Sequence, residues 1–217
     1  MTLLVAIDGA SKDNGKPYCI SAAGLHYQVV KEDGSVLCVG HEGEIEHKST
    51  NQRGELRALL MALKLLKKER MPGIICTDSE YLFNAMTKDW ITNWARKGWK
   101  TALGEPVKNC ELWKQVAHEY TSMPNDIDIA FYHIKGHVIS IGAVTTRRLM
   151  DAGMLWDKLQ EVYEQDRFIE KKAYASDLFA RNNGFTPSAD TLKNFVCMNT
   201  MADAVATRTL YDEVNSK

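Results

Sequence analysis

The chain has 217 residues, 45% of them apolar, and a formal net charge of −1. Those values suit a folded, soluble protein of one large domain, or of one domain plus a sizeable insertion. Near-zero charge argues against nucleic-acid binding over the whole surface, though not against a local basic patch. No apolar run reaches the roughly 18–20 residues that a bilayer span needs. The opening MTLLVAID carries no basic leader and reads as a strand, so no secretory signal is expected and a cytoplasmic location is. The five cysteines are scattered and form no CxxC pair, which fits buried thiols in a reducing compartment.

The elements are read in chain order. Residues 3–7 form a short buried strand that ends in Asp8-Gly9, and SKDNGKP after it is turn chemistry. Residues 18–30 and 36–44 read as two strands joined by the Asp33-Gly34 turn. Ser49, Thr50 and Asn51 are helix caps in waiting. From 55 to 68, Leu56, Leu59, Leu60, Leu63 and Leu66 recur at helical spacing, up to the stop at Met71-Pro72-Gly73. A strand at 74–76 follows, then short helices at 79–87 and 90–96, a longer one at 108–121 and a fifth strand at 127–134. Residues 142–183 read as continuously helical, with a weak point near Ala152-Gly153. Arg181-Asn182-Asn183-Gly184 reads as a helix C-cap, residues 185–189 as a loop and 199–213 as the final helix. This order predicts an α/β fold, a five-stranded mixed sheet flanked by helices.

Three acids stand where structure alone has little use for them. Asp8 and Asp78 follow the buried strands LLVAI and GIICT, and Glu55 opens the long helix. Carboxylates at the ends of neighbouring buried strands repel, and unpaired they cost several kcal/mol each. A divalent cation would neutralise them, and oxygen-only ligands favour Mg2+ or Mn2+ over Zn2+. Taken singly, each has a structural alternative: a turn for Asp8-Gly9, an N-cap for Asp78, a first-turn acid for Glu55.

A second feature lies at 88–114, where six Lys or Arg face three acids and four of the five tryptophans occur. Basic residues interleaved with aromatics suit a phosphate-contacting surface. The alternative is a solvated amphipathic helix packed by its tryptophans.

Together these segments resemble type 1 ribonuclease H, which cuts the RNA strand of RNA/DNA hybrids. The resemblance rests on IDGAS (7–11), STNQRGELRALLMAL (49–63), CTDSEYL (76–82), WITNWARKGWKTALGEPVKNCELW (90–113) and YHIKGH (132–137). The 90–113 segment is similar to the basic protrusion with which bacterial members hold the DNA strand. The resemblance implies Asp8, Glu55 and Asp78 as metal-binding carboxylates and His137 as a mobile catalytic histidine. It implies a fourth acid in a helix after that histidine, in a motif like N-x-x-A-D-x-x-A. Asn199-Thr-Met-Ala202-Asp203-Ala-Val-Ala206 matches it, whereas Asp151 lacks the Asn. The family's chemistry implies two Mg2+ per site, with Mn2+ as substitute. Thr50, Asn51 and Gln52 correspond to substrate-contacting positions, with Gln52 where bacterial members usually carry Asn. Trp94, Lys97, Trp99 and Lys100 correspond to contacts with the DNA strand.

Residues 138–196 are then a helical insertion within a single 1–217 domain, ahead of the last helix. Over 146–181, seven basic residues balance seven acidic ones, so the insertion does not read as a nucleic-acid arm. Its apolar and aromatic residues suggest docking onto the body or onto a protein partner. The expected partner of the whole is an RNA/DNA hybrid, met by a monomer that does not bind membranes. The alternatives are a weak or inactive hybrid-binding, replication-associated protein, or a different nuclease on the same fold.

Overall fold

The computed structural model describes residues 1–166, 169 and 188–216. Five strands, β1 (Thr2–Lys12), β2 (Ile20–Val30), β3 (Val36–His47), β4 (Gly73–Thr77) and β5 (Ile129–His133), form one sheet in the order β3-β2-β1-β4-β5. β1, β2 and β3 pair antiparallel, and β1, β4 and β5 pair parallel. The sheet is therefore mixed, as the chain order predicts. β1 runs five residues past Ile7, because β2 pairs with it as far as Lys12↔Ile20. Asp8 thus lies within a strand, one position beyond the last β1–β4 pair, Ile7↔Thr77.

Alternate residues of β1 serve two cores. Leu3, Val5 and Ile7 pack beneath α1 (Asn51–Glu69), α2 (Glu80–Thr87) and α4 (Cys110–Thr121). Leu4 and Ala6 face the other way, with Phe195, Val196, Met198 and Ala202 of the last helix. The short helix α3 (Trp90–Arg96) completes the first face.

α1 begins four residues before Glu55, with Thr50 as its N-cap: Thr50 Oγ1 accepts from the Arg53 N–H at 3.3 Å. Its first turn is tied to β3, where Arg53, Arg57 and the Ser49 hydroxyl all donate to the Glu46 carboxylate. Those donors hold Glu46 well below the ordinary carboxylate range despite its burial.

Beyond β5 the described part of the helix expected over 142–183 is broken into α5 (Ala143–Asp151) and α6 (Leu155–Gln165), and its part beyond 166, residue 169 apart, lies outside the described residues. They part at Gly153, whose φ of +69° ends α5, as the Ala152-Gly153 weak point suggested. The C-cap expected at 181–184 lies outside the described residues. The last helix, α7 (Ala189–Asn215), starts ten residues earlier than its motif suggested. Ser188 caps it through Oγ. α6 docks on the sheet: Leu155 and Leu159 are buried in the second core and Trp156 stacks on His26 of β2, while Glu164 of α6 pairs with Lys193 of α7. No described helix is long and apolar enough to cross a membrane.

Candidate active site

Asp8 shares the strand face of Leu4 and Ala6 and so looks toward α7. Its partner across the sheet is Gly24 of β2. At Gly24 the helix backbone presses close, since a β-carbon there would overlap Ala202 O and stand 2.5 Å from Ala206 N. That contact brings Asp203, which follows Ala202, up to Asp8. On the opposite side Gly9 lets α1 approach: a β-carbon at Gly9 would stand 2.6 Å from Glu55 N. The two glycines therefore let helices on both faces bring carboxylates to the same strand end.

Asp78 follows β4, and Ser79, rather than Asp78, takes the N-cap position of α2. Ser79 Oγ donates to Glu55 Oε2 at 2.7 Å, and Asn51 Nδ2 donates to Oε1 at 3.1 Å. The chain returns from β5 at Lys135-Gly136-His137. A β-carbon at Gly136 would overlap Asp78 Oδ2 and stand 2.9 Å from its Cγ. His137 is exposed, in the left-handed region at φ +53°. Asp8, His137, Ile139, Asn199, Thr200 and Asp203 line one small cleft.

The electrostatics tie the four acids together. Burial, then the charges of Asp78, Asp203 and Glu55, push the Asp8 carboxyl well above the ordinary range, against the pull of the Gly9 N–H. Burial and the Asp203 charge raise Asp78, and burial raises Asp203, with the His137 charge opposing both. Burial and Asp78 raise Glu55 against the hydrogen bonds from Ser79 and Asn51. No lysine or arginine is prominent among the charges acting on these four groups.

A half-buried cluster of four carboxylates, with His137 the one opposing charge prominent among the described residues, fits hard divalent cations by charge and by donor type. Among the described residues no three His, Cys, Asp or Glu side chains are already gathered around one point. Like charges hold carboxylates apart until a cation draws them in.

Asp151 is placed otherwise. Its side chain is 51% exposed and paired with Arg208, and it does not figure among the charges acting on Asp8 or Asp78.

Around the cluster, Thr50, Asn51 and Gln52 mark the start of α1. Gln52 Oε1 accepts from Asn109 Nδ2 at 3.3 Å, and Asn14 Oδ1 accepts from the Asn51 N–H at 3.3 Å. Asn14 belongs to the SKDNGKP turn that follows Asp8-Gly9 in sequence. Sequence reading also passed over Ser79 and Asn109, since a single Ser or Asn in a turn carries no distinguishing signal.

In the protrusion the tryptophans act chiefly as roots. Trp94 packs on Trp113 (5.3 Å) and Tyr81 (6.5 Å), and the fully buried Trp113 donates from Nε1 to Tyr81 Oη at 3.0 Å. Lys97 and Lys100 are exposed at the tip, and Lys114 lies over the Trp99 ring.

The RNase H family model matches residues 2–146. The chain is 44% identical over 100 residues to a ribonuclease H of Neisseria meningitidis, covering 45% of this chain and 65% of that protein. It is 38% identical over 139 residues to a ribonuclease H of Prochlorococcus marinus, covering 63% of this chain and 78% of that protein. The chain thus spans about two thirds of the length of the Neisseria relative. Among solved structures, the PFV RNase H domain superposes with a TM-score of 0.57 at 20% identity, over 96% of this chain and 94% of that one. LC9-RNase H1, a type 1 RNase H with the type 2 active-site motif, gives 0.53 at 19% identity, over 94% and 85%. Asp203 lies outside the matched segment 2–146, so its place rests on the packing of α7 against Gly24. With the sheet order, the matched segment and these relatives in agreement, the chain belongs to the RNase H family.

Proposed function

We propose that the chain is a metal-dependent endonuclease that hydrolyses the RNA strand of RNA/DNA hybrids. One observation carries this reading: carboxylates from β1, α1, the end of β4 and α7 converge, burial holds all four above the ordinary range, and the charges of Asp78, Asp203 and Glu55 add to this at Asp8. A protein that only bound hybrids would gain nothing from that repulsion. The name ribonuclease H, borne by relatives at 38–44% identity, supports the same reading.

Asp8, Glu55, Asp78 and Asp203 would hold two Mg2+, or Mn2+ in their place. Bound there, the ions would supply an activated water and charge stabilisation of the leaving 3′-oxygen. The residues of the chain do the rest. Ser79 and Asn51 orient the Glu55 carboxylate. Gly136 leaves room for Asp78. His137, at the rim, moves a proton between the cleft and solvent, or eases product release.

Selectivity for RNA must come from the 2′-hydroxyl. Asn109 engages Gln52 Oε1, which leaves the Gln52 Nε2 donor for that group beside Asn51 and Glu55. Thr50 at the helix N-terminus suits a phosphate, and Lys97 and Lys100 suit the DNA strand.

The test is cleavage of labelled hybrid with Mg2+ by the wild type and by Asp78→Asn. Loss of cleavage in the variant supports the reading, and equal rates refute it.

A further inference from the structure

A groove of about 440 Å3 runs between α5 and α7, within the size range of small-ligand sites. Its floor and walls are largely apolar, with Ile141, Val144, Met150 and Ala204 among them. Asp203 lines both this groove and the small cleft that holds Asp8 and His137, so the two are neighbours on α7. Tyr211 lies eight residues further along α7, about 12 Å at the helical rise of 1.5 Å per residue. Over its ring, 4.1 Å from the centroid, lies the guanidinium of Arg147 from α5.

The three arginines near the groove differ. Arg208 is committed to Asp151 and Asp212. Arg147 has no carboxylate partner among the described residues, and neither does the exposed Arg148 beside it. A guanidinium laid on an aromatic face keeps its edge donors free, and those donors suit phosphate oxygens. Tyr211, 44% exposed, adds an apolar face beside them.

We infer that Arg147 and Tyr211 form a substrate-binding platform for the cleaved strand, a few nucleotides from the scissile phosphate. The inference rests on the proposed nuclease reading and adds to it a binding role for the insertion. A strand whose phosphate sits at Asp203 continues with regularly spaced charges, and the Arg147 guanidinium lines the groove that Asp203 also lines. Charge balance over the whole insertion hides this: among the described residues Asp151 is paired to Arg208, and Asp157, Glu161 and Glu164 lie on α6.

The experiment measures the KM for hybrid, and its dependence on salt, for the wild type, Arg147→Ala, Arg147→Lys and Tyr211→Leu, each checked for folding by circular dichroism. Lys158→Ala is the control, since it removes a charge from α6 that Glu161 already pairs. Arg147→Ala is expected to raise KM several-fold and to lower the slope of log affinity against log salt by about one. Arg147→Lys should keep most of the salt slope, and Tyr211→Leu should raise KM with the slope intact. A folded Arg147→Ala protein with wild-type KM and slope overturns the platform while leaving the nuclease reading in place. A wild type that neither binds nor cleaves hybrid overturns both. If the groove instead takes a protein or a second copy of the chain, no variant will change KM, which also refutes the platform.

Discussion

Gly136 and Asp78 share a space that a side chain at 136 could enter only by displacing the Asp78 carboxylate. A β-carbon there would overlap Asp78 Oδ2 and stand 2.9 Å from Cγ. The atom in the way is the end of a short, rotatable side chain, so Gly136→Ala should turn Asp78 aside rather than unfold the protein. The expected outcome is a loss of hybrid cleavage of 100-fold or more, with Tm changed by only about 1–2 °C, read by a cleavage assay beside thermal unfolding. Wild-type rates in a folded Gly136→Ala protein would show that the contact does not matter.

Asp203 and Asp151 give a paired comparison. Asp203→Asn should reduce Mg2+-dependent cleavage at least 100-fold, since it removes one of four converging carboxylates. Asp151→Asn should leave the rate within about twofold, since an exposed ion pair is worth roughly 0–1 kcal/mol. The reverse pattern would move the fourth acid into α5.

The acid cluster makes a prediction about stability without metal. Asp8→Asn removes a buried charge that its neighbours oppose, so in EDTA it should stabilise the protein by about 1–3 kcal/mol. The wild type should gain stability on adding Mg2+, by about 2.7 kcal/mol at a 100-fold excess over Kd, and Asp8→Asn should gain much less. Thermal unfolding of both proteins with and without Mg2+ checks this.

His26 supplies a pH dependence away from the site. It is buried against Trp156, and both ring nitrogens lack a hydrogen-bond partner among the described residues. Burial, and secondarily His41, lower its pKa from 6.5 to about 4. Between those values the unfolded chain binds the proton and the native state does not, so stability falls as pH drops from 6.5 toward 4. At 1.36 kcal/mol per pH unit the bound is about 3 kcal/mol. His26→Phe keeps the stack and lacks the titration. Its stability advantage over the wild type should therefore grow as pH falls through this window, read by urea unfolding at several pH values.

The protrusion separates rooting from gripping. Trp113→Ala should cost about 3–5 kcal/mol of stability, because Trp113 is fully buried and donates to Tyr81. Lys97→Ala with Lys100→Ala should leave Tm within about 2 °C, weaken hybrid binding and lower its salt slope by about two.

Much of the fold is legible in the chain because its signals are local. The Asp33-Gly34 turn, the leucine stripe of α1, the Met71-Pro72-Gly73 stop and the Gly153 break each act over a few residues. Asp8, Glu55 and Asp78 are legible for another reason: each is a charge set against an apolar run, LLVAI, the leucine stripe or GIICT, that offers it no partner. Tertiary terms are not legible in this way. The extension of β1 past Ile7 comes from pairing with β2, and the early start of α7 from its packing on the sheet. The nearness of Asp203 depends on Gly24, a residue that in isolation reads only as a weak point of a strand. The tryptophans of 88–114 read either as part of a phosphate-contacting surface or as the packed face of a helix, and Tyr81 as their packing partner emerges only when α2, α3 and α4 are assembled.

The central claim is that the four carboxylates serve metal-dependent cleavage of the RNA strand of a hybrid. The direct measurement is cleavage of labelled RNA/DNA, RNA/RNA and DNA/DNA duplexes, side by side, by the purified chain with Mg2+ and with EDTA. The account predicts cuts in the RNA strand of the RNA/DNA duplex alone, lost in EDTA. Equal cleavage of all three duplexes, or none of the hybrid, would contradict it.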